Sequence, residues 1–233
     1  MDNWIYSHYP RIKPLKGGYA MKSVIQSFAI LSVVIMSVSP VALSNDKFEV
    51  IEETLIFDTE RPSPNGDEQE IDWDDAGDLK EILLENRNVK LLQLNSGGGL
   101  IYAAYEMADL IIDFELDTLV QGECTSSCVL LFLAGNTRRM ERGSKIGFHQ
   151  AYWEADDLRD YYDTYKDEDG WQDPFDFAEW LYQDTQAELF VDMEYLLERG
   201  VSPGFAIQTF KAAGHDMWYP RRAQLLEAGV LTE

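Results

Sequence analysis

Val89-Lys90-Leu91-Leu92-Gln93-Leu94-Asn95-Ser96-Gly97-Gly98-Gly99, followed by Leu100-Ile101-Tyr102-Ala103-Ala104-Tyr105, is the stretch on which the fold turns. The apolar run Val89 to Leu94 suits a short buried strand, and Asn95 with three glycines ends it. The period then changes: Ile101, Ala104, Tyr105, Ala108, Ile111 and Ile112 recur at helical spacing. A strand, a glycine turn and a helix in succession form one unit, and the chain repeats it. Leu119 and Val120 open a second strand, Gly122 to Cys128 is its turn, and Ser126 to Ala134 reads as its helix. Ile146 to Phe148 is a further strand. Upstream, Phe48 to Phe57 reads as a first strand, Pro62, Pro64 and Gly66 mark a loop, and Leu79, Ile82 and Leu83 share a helix face. Asp75 and Asp78 favour the start of that helix and Asn86 its end. Repeated units of this kind predict an α/β architecture.

The 233 residues carry 42 acidic and 19 basic side chains, a net charge of −23. Such a surface repels nucleic acid, acidic lipid and phosphate-rich cofactors. With 45% apolar and 12% aromatic residues the composition is that of a folded globular chain. The two cysteines, Cys124 and Cys128, are too few for a disulfide scaffold or a four-cysteine zinc site.

The N-terminal region reads as an address. Arg11, Lys13, Lys16 and Lys22 precede the apolar run Val24 to Met36, no acid occurs between Asp2 and Asp46, and Ala42 and Ser44 suit cleavage before Asn45. This is the order of a secretory signal peptide over residues 1–44, which predicts a periplasmic or secreted protein. Met21 opens a compact signal, so Met1 and Met21 both stand as starts. The alternative is an uncleaved anchor, the one case in which a membrane would be a partner. Cleavage would leave 41 acids against 15 bases in residues 45–233.

Residues 45–233 are read as a single domain with an acidic, aromatic insertion at about 151–182. From Ala151 to Tyr182 ten aromatic and eleven acidic residues stand against Arg159 and Lys166. With no histidine, serine or cysteine, the insertion is expected to shape access rather than perform chemistry. Asp167, Asp169 and Gly170 match part of a calcium loop, but Tyr165 and Asp176 occupy the first and twelfth positions, which favours a solvated acidic face. The helical pattern resumes from Phe190 to Leu197, and further helices follow Ser202-Pro203 and cover Arg222 to Ala228.

Nucleophilic catalysis needs a hydroxyl or thiol, a base and donors for an oxyanion. If the signal is removed, His8 goes with it and His149 and His215 remain. His149 follows the strand Lys145-Ile146-Gly147-Phe148, where a rigid scaffold can present a reactive group; an ordinary hydrogen-bonded surface histidine fits the same position. Ser126 lies between strand and helix, where free N–H groups favour negative charge; a plain N-cap serine fits equally. The triple glycine is either a tight turn or a place where a carbonyl can approach backbone donors closely.

Taken in order, Asn95-Ser96-Gly97-Gly98-Gly99, Gly122-Glu123-Cys124-Thr125-Ser126, Ala134-Gly135 and Ile146-Gly147-Phe148-His149-Gln150 resemble the motifs of the Clp protease proteolytic subunit, within the ClpP/crotonase superfamily. The likeness covers residues 89–150 well and the C-terminal end weakly. It is greatest to exported ClpP-like proteins of bacteria, whose cysteines bracket the serine as Cys124 and Cys128 do. Gly97 stands where the protease usually has proline.

The resemblance implies a superhelix of strand-turn-helix units and an exported serine hydrolase cleaving peptide or acyl bonds. It implies Ser126 as nucleophile, His149 as general base, and the N–H groups of Gly99 and Ser127 as the oxyanion hole. Asp216, ahead of Leu225-Leu226-Glu227-Ala228-Gly229-Val230, is the best match for the third member. No metal or organic cofactor is implied; the expected partners are a peptide or protein substrate and further copies of the chain. Cys124 and Cys128 fit either a disulfide or two buried thiols. A serine–lysine arrangement would point to Lys145, and crotonase chemistry would need coenzyme A, whose phosphates suit this charge poorly. The alternative from another class is a catalytically silent binding or assembly module.

Overall fold

The computed structural model describes residues 46–233; the expected signal peptide and its cleavage position lie outside the described residues. Among the described residues six strands form one sheet: β1 (Phe48–Ile51), β2 (Thr54–Asp58), β3 (Leu91–Ser96), β4 (Asp117–Thr125), β5 (Arg138–Met140) and β6 (Lys145–Gly147). Their order is β1-β2-β3-β4-β5, with β6 also on β4. The stretch 48–57, expected as one strand, is a hairpin: β1 and β2 are antiparallel and Glu52 turns between them with φ 54°. The remaining pairings are parallel.

Parallel pairing follows from the helical crossovers between strands. Helix α1 (Asp75–Glu85) connects β2 to β3, α2 (Ile101–Asp113) connects β3 to β4, and α3 (Cys128–Ala134) connects β4 to β5. The periodicity of α1 and α2 is met by burial of Leu79, Ile82 and Leu83 on one, and Ala104, Tyr105, Ala108 and Ile111 on the other. All seven residues of α3 are buried, as an apolar helix without a polar face requires. Leu55, Phe57, Leu92, Leu94, Val120 and Ile146 of the strands are likewise buried. Strand β5 escaped the periodic reading because two of its three residues are arginines; its register, Thr118 with Arg138, is set by backbone pairing.

Strand β4 is the hinge of the architecture. Thr118 to Val120 pair with β5, and Glu123 to Thr125 pair with β6 on the same side. Against β3 the register jumps, from Leu94 opposite Val120 to Ser96 opposite Cys124. Asn95 fills the bulge: its Oδ1 accepts from the Glu123 N–H at 2.9 Å and its amide donates to Asp58 at 2.9 Å. A Cβ on Gly122 would fall 2.2 Å from Asn95 Oδ1, which explains glycine there. The parallel strands β3, β4 and β6 therefore deliver their C-terminal ends to one edge of the sheet.

After β6 come α4 (Ala155–Asp169), α5 (Pro174–Glu198), α6 (Pro203–Thr209) and α7 (Arg222–Glu227). The chain divides into two compact units: residues 154–184, and residues 46–153 with 185–233. Helix α5 is continuous for 25 residues, whereas the sequence pattern showed its start only at Phe190. Within residues 154–184, Tyr161, Tyr165 and Phe177 are buried, with Leu158, Tyr162, Trp171, Trp180 and Leu181 around them. Residues 165–169 form the end of α4 rather than a calcium loop, and Gly170 closes the helix in the left-handed conformation. Among the described residues no helix is long and apolar enough to cross a membrane.

Candidate active site

Three turns meet at the C-terminal edge of the parallel strands. Ser126 follows the last residue of β4, the glycines follow β3, and His149 follows β6 by two residues. Thr125 stands opposite Gly147, and the Ser126 N–H donates to the Gly147 carbonyl at 3.2 Å. The serine turn and the histidine strand are thus tied together by backbone.

Ser126 has φ 55°, the left-handed region, a conformation that costs a non-glycine residue on the order of 1 kcal/mol or more. It is not an N-cap: Ser127 occupies that position of α3, and no side chain caps the helix. The Ser126 hydroxyl, half-buried, makes no hydrogen bond among the described residues. A serine in left-handed backbone between strand and helix, its hydroxyl without a hydrogen bond among the described residues, has the backbone arrangement that a nucleophile elbow uses.

The disulfide Cys124–Cys128 brackets this elbow, with Cα atoms 5.4 Å apart and both cysteines fully buried. It joins the penultimate residue of β4 to the first residue of α3, so Ser126 lies inside a covalently closed segment of five residues. Thiol chemistry at either position is closed while the bond is intact.

The glycine loop packs directly on the elbow. A Cβ on Gly98 would lie 2.7 Å from Ser126 Cβ and 2.8 Å from the Thr125 carbonyl. Hydroxyl groups fix the loop. Thr125 Oγ1 donates to Gly97 O at 3.1 Å, Ser127 Oγ donates to Gly99 O at 3.0 Å, and Ser96 Oγ accepts from the Gly98 N–H at 3.2 Å. Ile71 forms a parallel bridge with Gly99, in which the Ile71 N–H donates to Gly98 O and Ile71 O accepts from the Leu100 N–H, each at 2.8 Å. These contacts use the carbonyls of all three glycines. The N–H groups of Gly99 and Ser127 donate to no acceptor among the described residues. Two uncommitted donors on either side of a serine are the elements of an oxyanion hole. The side-chain roles of Ser96, Thr125 and Ser127 were not read from the sequence, because hydroxyls in a turn carry no signal of which carbonyl they will meet.

His149 is half-buried, and partial loss of solvent holds its pKa below the usual imidazole value, against the opposing effect of the Gln150 and Gly214 backbone. Its ring meets Tyr152 edge-on at 5.8 Å, and Tyr152 in turn meets His215 at 5.9 Å. Neutral imidazole is the form a general base requires. It makes no hydrogen bond to Ser126 in this conformation, and its buried Nδ1 meets no hydrogen-bond partner among the described residues.

Asp216, the third member implied by the resemblance, is not joined to His149. Its Oδ1 accepts from the Met217 N–H at 2.9 Å, and its own N–H donates to Ala213 O at 2.9 Å. The cause is local. The segment is tied to the histidine strand by Phe148 with Trp218 and by the Gln150 N–H to Ala212 O, and residues 213–216 turn back on themselves between those ties. Lys145, the lysine alternative, stands at the start of β6 with its ammonium 3.8 Å from Glu123 and 5.3 Å over the Tyr219 ring. Among the described residues no group of three or more histidine, cysteine or acidic side chains is placed to hold a metal ion.

No family model and no curated protein sequence matches the chain. Among solved structures, 347 chains match. One is ClpP1 from Listeria monocytogenes in an Asn-to-Asp mutant form, similar over 78% of this chain and 90% of its own, with TM-score 0.51 and 15% sequence identity. The fold is ClpP-like, and at this identity the likeness speaks for the fold alone.

Proposed function

We propose that the chain is an exported serine hydrolase, a ClpP-like peptidase acting on peptide or acyl bonds. The observation that carries the proposal is the elbow itself: Ser126 in a left-handed backbone, its hydroxyl unspent, flanked by the uncommitted N–H groups of Gly99 and Ser127. In this reading His149 takes the Ser126 proton as the oxygen attacks a carbonyl carbon. Gly99 and Ser127 receive the oxyanion, and the imidazolium returns the proton to the leaving amine or alcohol. Water then releases the acyl group by the same route. Asp216 remains the candidate orienting acid, requiring residues 213–216 to turn toward Nδ1.

The net charge of −23 favours neutral or basic substrates, such as unfolded segments rich in lysine and arginine. Export and assembly with further copies of the chain belong to the same proposal and are supported by the N-terminal sequence pattern and by the family resemblance. A second reading, a silent binding module, is favoured by one observation, a His149 Nδ1 that meets no hydrogen-bond partner among the described residues.

Turnover of a small activated ester separates the two. Ser126→Ala should lower the rate by about 10⁶-fold and His149→Ala by a comparable factor, as for other serine hydrolase sites. Asp216→Asn should cost less than either. A parent with no turnover above buffer supports the silent module.

A further inference from the structure

The glycine loop beside Ser126 is held from a part of the molecule that the reaction does not touch. We infer that Lys47 is a positioning residue for the oxyanion hole: it anchors the Glu70–Asp75 segment, whose Ile71 fixes Gly98 to Leu100 with the Gly99 N–H uncommitted. This rests on the hydrolase reading above.

The chain of contacts is continuous and directional. The Lys47 ammonium lies 2.6 Å from Asp75 Oδ1, 3.0 Å from Asp72 Oδ2 and 3.1 Å from Glu70 O, three acceptors for its three protons. Lys47 is 7% exposed at its side chain and Asp75 not at all. Asp75 Oδ2 also accepts from the Asp72 N–H at 2.9 Å, so the pair grips the backbone on both sides of Ile71. Lys47 is itself fixed, its carbonyl accepting from the Asp58 N–H at 2.9 Å at the end of β2.

From Ile71 the grip passes to the loop through the two 2.8 Å backbone bonds to Gly98 and Leu100. The approach is close: a Cβ on Gly99 would stand 2.5 Å from both Ile71 N and Ile71 O. A buried ion pair is seldom more stabilising than an apolar pair of equal volume, but it fixes direction, which apolar contact does not. Direction matters here because an oxyanion donor must stand about 2.7–3.1 Å from the charge it receives.

The test uses Lys47→Met combined with Asp75→Leu, which leaves no unpaired buried charge, and separately Asp72→Asn at a half-exposed position. Two readouts follow. The Leu100 amide, which donates to Ile71 O, should exchange its hydrogen at least about tenfold faster in the double variant, with β3 amides unchanged. An ester and its thiono counterpart, whose C=S is a poor hydrogen-bond acceptor, report the hole. The parental preference for the oxo ester should shrink by about ten- to a hundredfold through kcat with KM within about twofold, and by a few-fold in Asp72→Asn. If a variant melts with the parent and keeps both the Leu100 exchange rate and the ester preference, the inference is overturned. Should the double variant not fold, Asp72→Asn decides by the same two readouts. A parent that hydrolyses neither ester defeats the hydrolase reading, and the exchange rate still decides the anchoring.

Discussion

The sheet unit and the unit of residues 154–184 bury themselves by different means. The sheet unit is mainly aliphatic: Leu92, Leu94, Ala104, Ala108, Leu131 and Phe132 are all fully buried, and glycines stand where backbones approach closely. The smaller unit relies on aromatic rings. Tyr161 alone meets Tyr165 at 4.7 Å, Trp180 at 5.9 Å, Trp171 at 6.2 Å and Phe177 at 6.3 Å. Fixed backbone turns let the first hold a hydroxyl and two N–H donors in a defined arrangement, as chemistry requires. Large rings on two helices bury area from few positions and leave the remaining surface to acidic side chains.

The largest expected effect that breaks this contrast is in the rings. Tyr161→Ala should cost about 3–5 kcal/mol within residues 154–184, the range for deleting a buried aromatic. Hydrogen exchange should rise there and remain slow in β3 and β4. Equal loss of protection in the sheet would show that the two units fold as one.

Glycines sharpen the comparison. Gly98 and Gly170 both have positive φ, 100° and 77°, but a Cβ on Gly98 meets Ser126 and Thr125, whereas one on Gly170 meets nothing within 4 Å. Gly170→Ala should cost about 1 kcal/mol, the conformational term alone. Gly98→Ala adds overlap with the elbow and should cost roughly 2–4 kcal/mol, together with most of the esterase activity. Denaturant midpoints of the two variants test the difference.

A pH dependence extends the comparison to both units, since burial raises Asp109 and Asp192 of the sheet unit to about 6. Burial likewise raises Asp184 to about 6, and its Oδ1 has no hydrogen-bond partner among the described residues. A carboxyl with a folded pKa above its unfolded one stabilises below the unfolded value, near 4, and that stability is lost as pH rises through about 6. Stability of residues 154–184 should therefore fall by up to about 2 kcal/mol between pH 4 and 7.5. Asp184→Asn should flatten that slope, as measured by exchange at several pH values.

Legibility in the sequence followed the same divide. The turns of the sheet unit were readable because each needs a particular residue: glycine where Gly98 meets Ser126, and an abrupt change from strand to helix period at Leu100. The hairpin at Glu52 was not, since a glutamate at positive φ carries no turn signature. Nor was the continuity of α5, because the aromatic half before Asp184 and the aliphatic half after Phe190 differ in composition while sharing one backbone. At the candidate site, Ser126, His149, Gly99 and Ser127 are expectations from motif order. The network of Ser96, Thr125 and Ile71 that fixes the glycines depends on contacts between distant segments and left no local pattern. Asp216 shows the converse: a position chosen by motif order whose carboxylate is held by its own loop.

The account stands on Ser126 being an acylable nucleophile, and covalent labelling reads this directly. The full chain, with its disulfide intact, is treated with a fluorophosphonate, its intact mass is measured, and the adduct is mapped by peptide sequencing. The account predicts one adduct per chain, on Ser126, absent from Ser126→Ala and slowed as pH falls and His149 takes up a proton. An unmodified parent, or an adduct that persists in Ser126→Ala, would contradict it.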